Sequence, residues 1–496
     1  MNLTLRLGIF TVIAIFGAVY LGIGITSDQE STVGTVLGIG ALIVCLALGR
    51  KVWLVLPFFM SIHLTLAIPG RPATIELAEI IVIAFIGIQM FAGRIPWKLK
   101  ITELEVWAFF LLMCIVQVYI RNPVGMNILG SGNVGGRPYF MFALAFVTMV
   151  IIGFIRVPPS ELKTALKVSI FGGLIHMAMN VVGYMVPSVG RFYGAGQIES
   201  TYSNEVADAS RAGRLDFLSG FGSNLALWVS SFINPVKACF KVLWLPLVIF
   251  AFLSAGASGY RNVIVSTGLT FLVGIFYRGG MRWLFLSLGV AVLVLCGLAA
   301  VNTVKPLPPN VQRSLSWLPG TWSKDIKLDA QRSSDWRFEM WEEVLLTDDW
   351  ISNKFLGDGL GFTAKELEYQ QQISLNPGGM GLSGFDLHRE TILVNGDYHS
   401  GPVSAIRTSG YLGLLILFFA QLRLVVHAHR QIMRAKNTEW WPVTLIFGIP
   451  IIWAPIFFLF VFGGFQQDVV LLLMGMAFVR LLENNLPLPP HPKQRS

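Results

Sequence analysis

The sequence predicts an all-α polytopic membrane protein of about 12–14 transmembrane helices with one large, mainly helical external loop. Three observations predict it. Of 496 residues, 54% are hydrophobic and 13% charged, roughly half the charge of an average soluble domain. Apolar runs about 17–22 residues long, enough to cross a bilayer core as helix, recur along the chain. A single polar stretch, 303–407, interrupts them.

The apolar runs fall near 7–26, 32–49, 52–69, 75–92, 104–120, 138–155, 164–187, 219–236, 238–255, 261–277, 283–302, 408–426, 441–463 and 466–483. Each is expected to be a helix, because lipid offers no partner to backbone amides and carbonyls. The pair around Pro235 is the least well bounded. The chain then divides into an N-terminal bundle (1–302), the loop domain (303–407) and a C-terminal group of helices with a short tail (408–496).

Lys and Arg set the orientation, since positive flanks stay in the cytoplasm. With the N-terminus inside, twenty of the 37 cations fall on the inner face, among them Arg50, Lys51, Arg156, Lys163, Arg278, Arg430 and Arg480. Seven fall on the opposite short loops, including Arg121, Arg137, Arg211 and Arg261, and ten on the long loop. Both termini read as cytoplasmic and the long loop as external.

The net charge of +9 is therefore topology signal, not a concentrated basic face, and nucleic acid is not expected as a partner. The first apolar run lacks a small-residue cleavage site and reads as a retained anchor. The four cysteines, Cys45, Cys114, Cys239 and Cys296, lie in or beside apolar runs, so no disulfide framework or thiolate metal site is available to the loop.

Polar residues gather on the outer face, and neither internal repeats nor a series of buried charges marks the chain as a transporter. Arg261 follows the small residues Ser254–Gly259 and opens an apolar run. Its planar guanidinium suits a phosphate or diphosphate, and an interfacial anchor or snorkelling Arg is the plainer alternative. Ser334 is a good N-cap for a helix over 335–346, on which Arg337 and Trp341 lie one turn apart and can stack. The plain alternative is that Trp336, Phe338, Trp341, Val344 and Leu345 pack this helix down. Gly357-Asp358-Gly359-Leu360-Gly361 could cradle an anion with its amides, but lacks a nucleotide fingerprint and reads as a turn. His388 reads as a surface histidine. His399 sits ten residues before Gly410, at the entry to a span, where an imidazole can take a proton from a sugar hydroxyl. No second ligand stands at zinc spacing.

These pieces resemble the O-antigen ligase and O-antigen polymerase superfamily of bacterial envelope enzymes. The ligase loop motif of His, then Asn, Ser or Gln, nine residues, Gly, two residues, and Gly, Thr or Tyr is met by His399, Ser400, Gly410 and Gly413. Further matches are Ser258 to Arg261, the Arg337/Trp341 pair, the Gly-x-Gly turn and the late external loop. The ligase Arg is usually followed four residues on by Leu. Val265 stands there after Arg261, whereas Arg211 does have Leu215.

The resemblance implies glycosyl transfer without metal, ATP or other cofactor, on the external face of the bacterial inner membrane. The partners it implies are an undecaprenyl-diphosphate-linked glycan donor, a glycan or lipid-linked acceptor, and membrane lipids. His399 and Arg261 would be catalytic, with Arg337, Arg211, Trp341 and Ser400 binding substrate. A polymerase of the same superfamily is the close alternative. Two more distant ones are a lipid-linked glycan flippase and a metal-dependent phosphosugar transferase built on Asp28-Gln29-Glu30.

Overall fold

The computed structural model describes residues 40, 47–62, 64–66, 72–96, 100–124, 136–186, 189–190, 215–360, 364–375, 384–396 and 398–487. Among the described residues the chain is helical, apart from short 3₁₀ turns and one isolated antiparallel bridge between Thr65 and Ala73. In order the helices are α1 (Val55–Met60), α2 (Thr74–Phe91), α3 (Glu103–Arg121), α4 (Arg137–Phe154), α5 (Pro159–Met185), α6 (Phe221–Phe232), α7 (Pro235–Ala238), α8 (Leu245–Ala257) and α9 (Arg261–Gly279). They continue with α10 (Met281–Val304), α11 (Pro309–Leu315), α12 (Lys324–Leu346), α13 (Ala364–Leu375), α14 (Gly384–Asn395), α15 (Gly401–Arg434), α16 (Trp441–Phe460) and α17 (Phe465–Asn485). Nine of these, α2–α5, α9, α10 and α15–α17, are long and apolar enough to cross a membrane. The chain is an all-α, multi-pass membrane protein.

Several expected spans come out differently. The run 52–69 is not one helix: α1 stops at Met60 and the chain turns at Ser61. The pair around Pro235 becomes α6 and α8, of 12 and 13 residues, separated by α7, because Pro235 has no amide to continue α6 and Asn234 caps a new start by accepting from Val236 N–H (3.0 Å). The run 7–26 and most of 32–49 lie outside the described residues.

The core forms where α15 packs on α3 and α16, and α17 on α4. Its largest fully buried side chains include Trp53, Phe142 and Phe458. By contrast α10 is apolar all round and only 6% buried, resting on α9 and, at its end, on Leu315 and Trp322. Such a surface suits lipid.

Ion pairs fasten one end of the bundle. Arg480, 3% exposed, bonds Glu105 (2.6 Å), Glu483 (2.7 Å) and the Lys100 carbonyl (2.6 Å), while His427 Nδ1 meets Glu483 (2.6 Å). This network joins the start of α3 to the ends of α15 and α17. Removing one partner of a buried pair leaves an uncompensated charge, so Arg480→Ala is expected to cost about 3 kcal/mol, read as a lower melting temperature in detergent. A loss below about 1 kcal/mol would put the network on a par with an exposed pair.

Candidate functional site

At the opposite end of the bundle the last long helix group begins in an unusual way. Ser400, Gly401 and Pro402 start α15 seven residues earlier than the apolar run at 408 indicates, Pro402 supplying a preset φ in the first turn. The helix then breaks at Gly410 (φ 72°, ψ −178°), a conformation open essentially to glycine alone. The first piece, Gly401–Gly410, is buried except for half-buried Pro402.

The break frees backbone groups, and the Gly357 turn satisfies them. Asp358 N–H donates to Arg407 O (2.8 Å) and Gly359 N–H to Thr408 O (3.1 Å), while Tyr411 N–H and Leu412 N–H donate to Lys354 O (2.8 Å) and Phe355 O (3.2 Å). The other described turn amides are also engaged, Gly357 N–H with Asn353 O (2.7 Å) and Leu360 N–H with Tyr139 Oη (2.9 Å). These amides therefore have nothing left with which to cradle an anion, and the turn is a plug wedged between spans. From the other side Gln117 (2.9 Å) and Arg121 (3.1 Å) donate to Leu356 O, and Asn122 to Asp358 O (3.0 Å). A Cβ at Gly410 would collide with the Phe355 carbonyl, and one at Gly359 would stand 2.6 Å from Tyr139 Oη.

His399 lies just before the early start of α15. It is one of two non-glycine residues with positive φ among the described residues (φ 52°; the other is Asn437). Its ring stacks on Phe462 (centroids 5.4 Å, 28° between planes) and meets Trp336 edge-on (6.4 Å). The segment is held because Gly401 packs against Phe458, where a Cβ would strike both ring and carbonyl.

Helix α12 supplies the facing wall. It starts at Lys324, so Ser334 lies inside the helix and does not cap it: the stretch before Ser334 holds no Gly or Pro to stop propagation, and Ser323 with Asp325 already makes a start. Trp336, Met340 and Val344 are buried against Ile392, Leu393, Tyr398 and Ile406, whereas Phe338 is 63% exposed. Trp341 Nε1–H donates to Tyr398 O (2.7 Å), tying α12 to the residue before His399. The Arg337 guanidinium sits over Trp336 (5.8 Å), so the cation–π partner the structure gives it is the neighbouring tryptophan.

The structure thus brings His399, Ser400, Arg337 and Trp341 together. Arg261 opens α9 at the same end of the bundle. The far end of α9 lies at the start of α16, with Arg278 over Trp441 (4.5 Å), and α16 runs back towards Phe462 and His399. Arg211 and Asp28-Gln29-Glu30 fall outside the described residues, as does the His388 side chain.

Sequence reasoning passed over Arg407, which it counted among the loop cations. It is 5% exposed and pairs with Glu366 on α13, and its Nη1 stands 3.8 Å from Asp358. Asp358 in turn accepts from Ser352 N–H (2.6 Å) and Asn353 N–H (3.0 Å). Beside it burial pushes the Tyr398 phenol up to about 12, against the pull of the Arg407 charge, so it keeps its proton at neutral pH. The Gly401-Pro402 start was the signal that could have placed Arg407 inside a helix. Arg407, Ser404 and Thr408 line a cavity of about 470 Å³, bounded elsewhere by Asn395, Gln466 and Phe59. Among the described residues no three His, Cys, Asp or Glu side chains gather as metal ligands.

Compared with protein-family models and with curated proteins, the chain matches none.

Proposed function

We propose that the chain is a membrane glycosyltransferase that moves a glycan from an undecaprenyl-diphosphate-linked donor to an acceptor hydroxyl, in the manner of the O-antigen ligases its loop motif resembles. The observation that carries the reading is His399. A bulky residue held at φ 52° costs energy that the surroundings must over-determine, and such positions cluster at functional sites.

In the reaction His399 takes the proton of the acceptor hydroxyl as its oxygen bonds to the anomeric carbon. The bond from that carbon to the diphosphate oxygen breaks, and its electron pair leaves with the diphosphate. Arg261 and Arg337 meet the charge growing there, and Trp341 and Ser400 shape the site. Stabilising such charge is usually the largest catalytic contribution. The orientation fits: Arg156, Lys163, Arg430 and Arg434 gather at the Arg480 end, which is then cytoplasmic, and the His399 end, with the 303–407 segment, faces the periplasm of a bacterial inner membrane.

The test uses the full chain in proteoliposomes with an undecaprenyl-diphosphate glycan. Arg261→Ala and Arg337→Ala are each expected to cut turnover by about 10²-fold or more. Full transfer by Arg261→Ala would remove that residue from the mechanism.

A further inference from the structure

The cavity beside Arg407 does not include His399, Arg261 or Arg337 in its lining, although its wall residues Gly396 and Ser404 flank His399 in the chain. Its volume, about 470 Å³, lies in the range of small-molecule sites, roughly 300–1,000 Å³. The lining mixes neutral hydrogen-bonding groups, Asn395, Ser404, Thr408 and Gln466, with apolar ones such as Phe59 and Leu471.

Arg407 is the charged side chain in the lining, and its ion pairs with Glu366 and Asp358 offset its charge, which favours a neutral occupant over a phosphate or diphosphate. Its buried Nη1 makes no hydrogen bond and is a donor that a ligand hydroxyl can meet. The Ser404 hydroxyl, 3% exposed, has no hydrogen-bond partner in the protein, an unmade bond at the cavity wall that a ligand hydroxyl would complete. An amphipathic ring with a hydroxyl edge and a C–H face matches both kinds of lining group.

We propose that this cavity binds a neutral sugar ring of one of the two substrates, hydroxyl edge towards Asn395, Ser404 and Gln466 and C–H face towards apolar lining residues such as Phe59. This rests on the reading of the chain as a glycan transferase. The diphosphate then stays with Arg261 and Arg337, which do not line the cavity, and the sugar ring lies within it.

The test measures saturable binding of radiolabelled octyl glucoside and octyl phosphate to the full-length protein in nanodiscs. Octyl glucoside is expected to bind, and Asn395→Ala and Gln466→Ala each to weaken it about tenfold, the loss of one well-placed hydrogen bond. Gln467→Ala, at an exposed wall position, provides a variant with little folding risk, and melting temperatures check all three. Octyl phosphate binding as well as the glucoside, or glucoside binding that ignores every substitution, would overturn the proposal. In transfer assays a KM raised for the donor alone assigns the ring to the donor, and one raised for the acceptor alone assigns it to the acceptor. Unchanged KM for both would count against the pocket. Substitution-sensitive glucoside binding by a wild type that transfers nothing would leave the pocket standing and remove the transferase reading, whereas transfer without glucoside binding would do the reverse.

Discussion

Replacing His399 by glycine is expected to leave the melting temperature unchanged or higher while cutting glycan transfer by about 10²-fold or more. The two effects come from one feature. At φ 52° a β-carbon costs about 1 kcal/mol that glycine does not, so relief of strain offsets the lost contacts with Phe462 and Trp336. The imidazole is the group proposed to take the acceptor proton, and glycine offers nothing in its place. A purely structural histidine would give the opposite pattern, with stability lost in step with ring contacts and turnover per folded molecule retained. Thermal melting and single-turnover transfer on the same preparation separate the two.

Gly410→Ala is expected to be the most damaging single-methyl change, at about 3 kcal/mol or more, with transfer lost alongside. Its φ of 72° belongs to glycine, and the added Cβ would meet the Phe355 carbonyl, a backbone atom that cannot swing aside. The collision would push the 352–360 plug off the helix break and strand the Arg407 and Thr408 carbonyls. As a control, Gly289→Ala on α10 meets open space at ordinary φ and is expected to change stability by under about 0.5 kcal/mol. Similar melting temperatures for the two variants would mean that the plug does not hold the break.

Much of the fold was legible because its cause is chemical and local. Runs such as 75–92, 104–120 and 441–463 are apolar for the length of a bilayer, and α2, α3 and α16 match them to within a few residues. Length cues ran long where a proline and a turn divide apolar sequence. Around Pro235 two 12- and 13-residue helices pack on each other and on α9, α6 mostly buried and α8 leaving Phe250, Phe252 and Leu253 exposed, and hydropathy alone does not tell such short helices from spanning ones. At the site, the spacing from His399 to Gly410 was visible, but its reason was not. Gly410 breaks a helix, and the carbonyls so freed are met by amides about fifty residues earlier, a pairing that no local pattern encodes. Arg407 was missed for the same reason: it reads as one more loop cation until the early start of α15 buries it between Glu366 and Asp358. The Ser334 cap was a sound local signal overruled by a helix already running from Lys324.

The most direct test of glycan transfer is to reconstitute the wild type and His399→Ala in proteoliposomes with an undecaprenyl-diphosphate glycan and an acceptor, with and without EDTA. Transfer that the wild type performs equally well in EDTA and that the variant loses is the expected result. Transfer that survives the substitution, or none by the wild type, would contradict it.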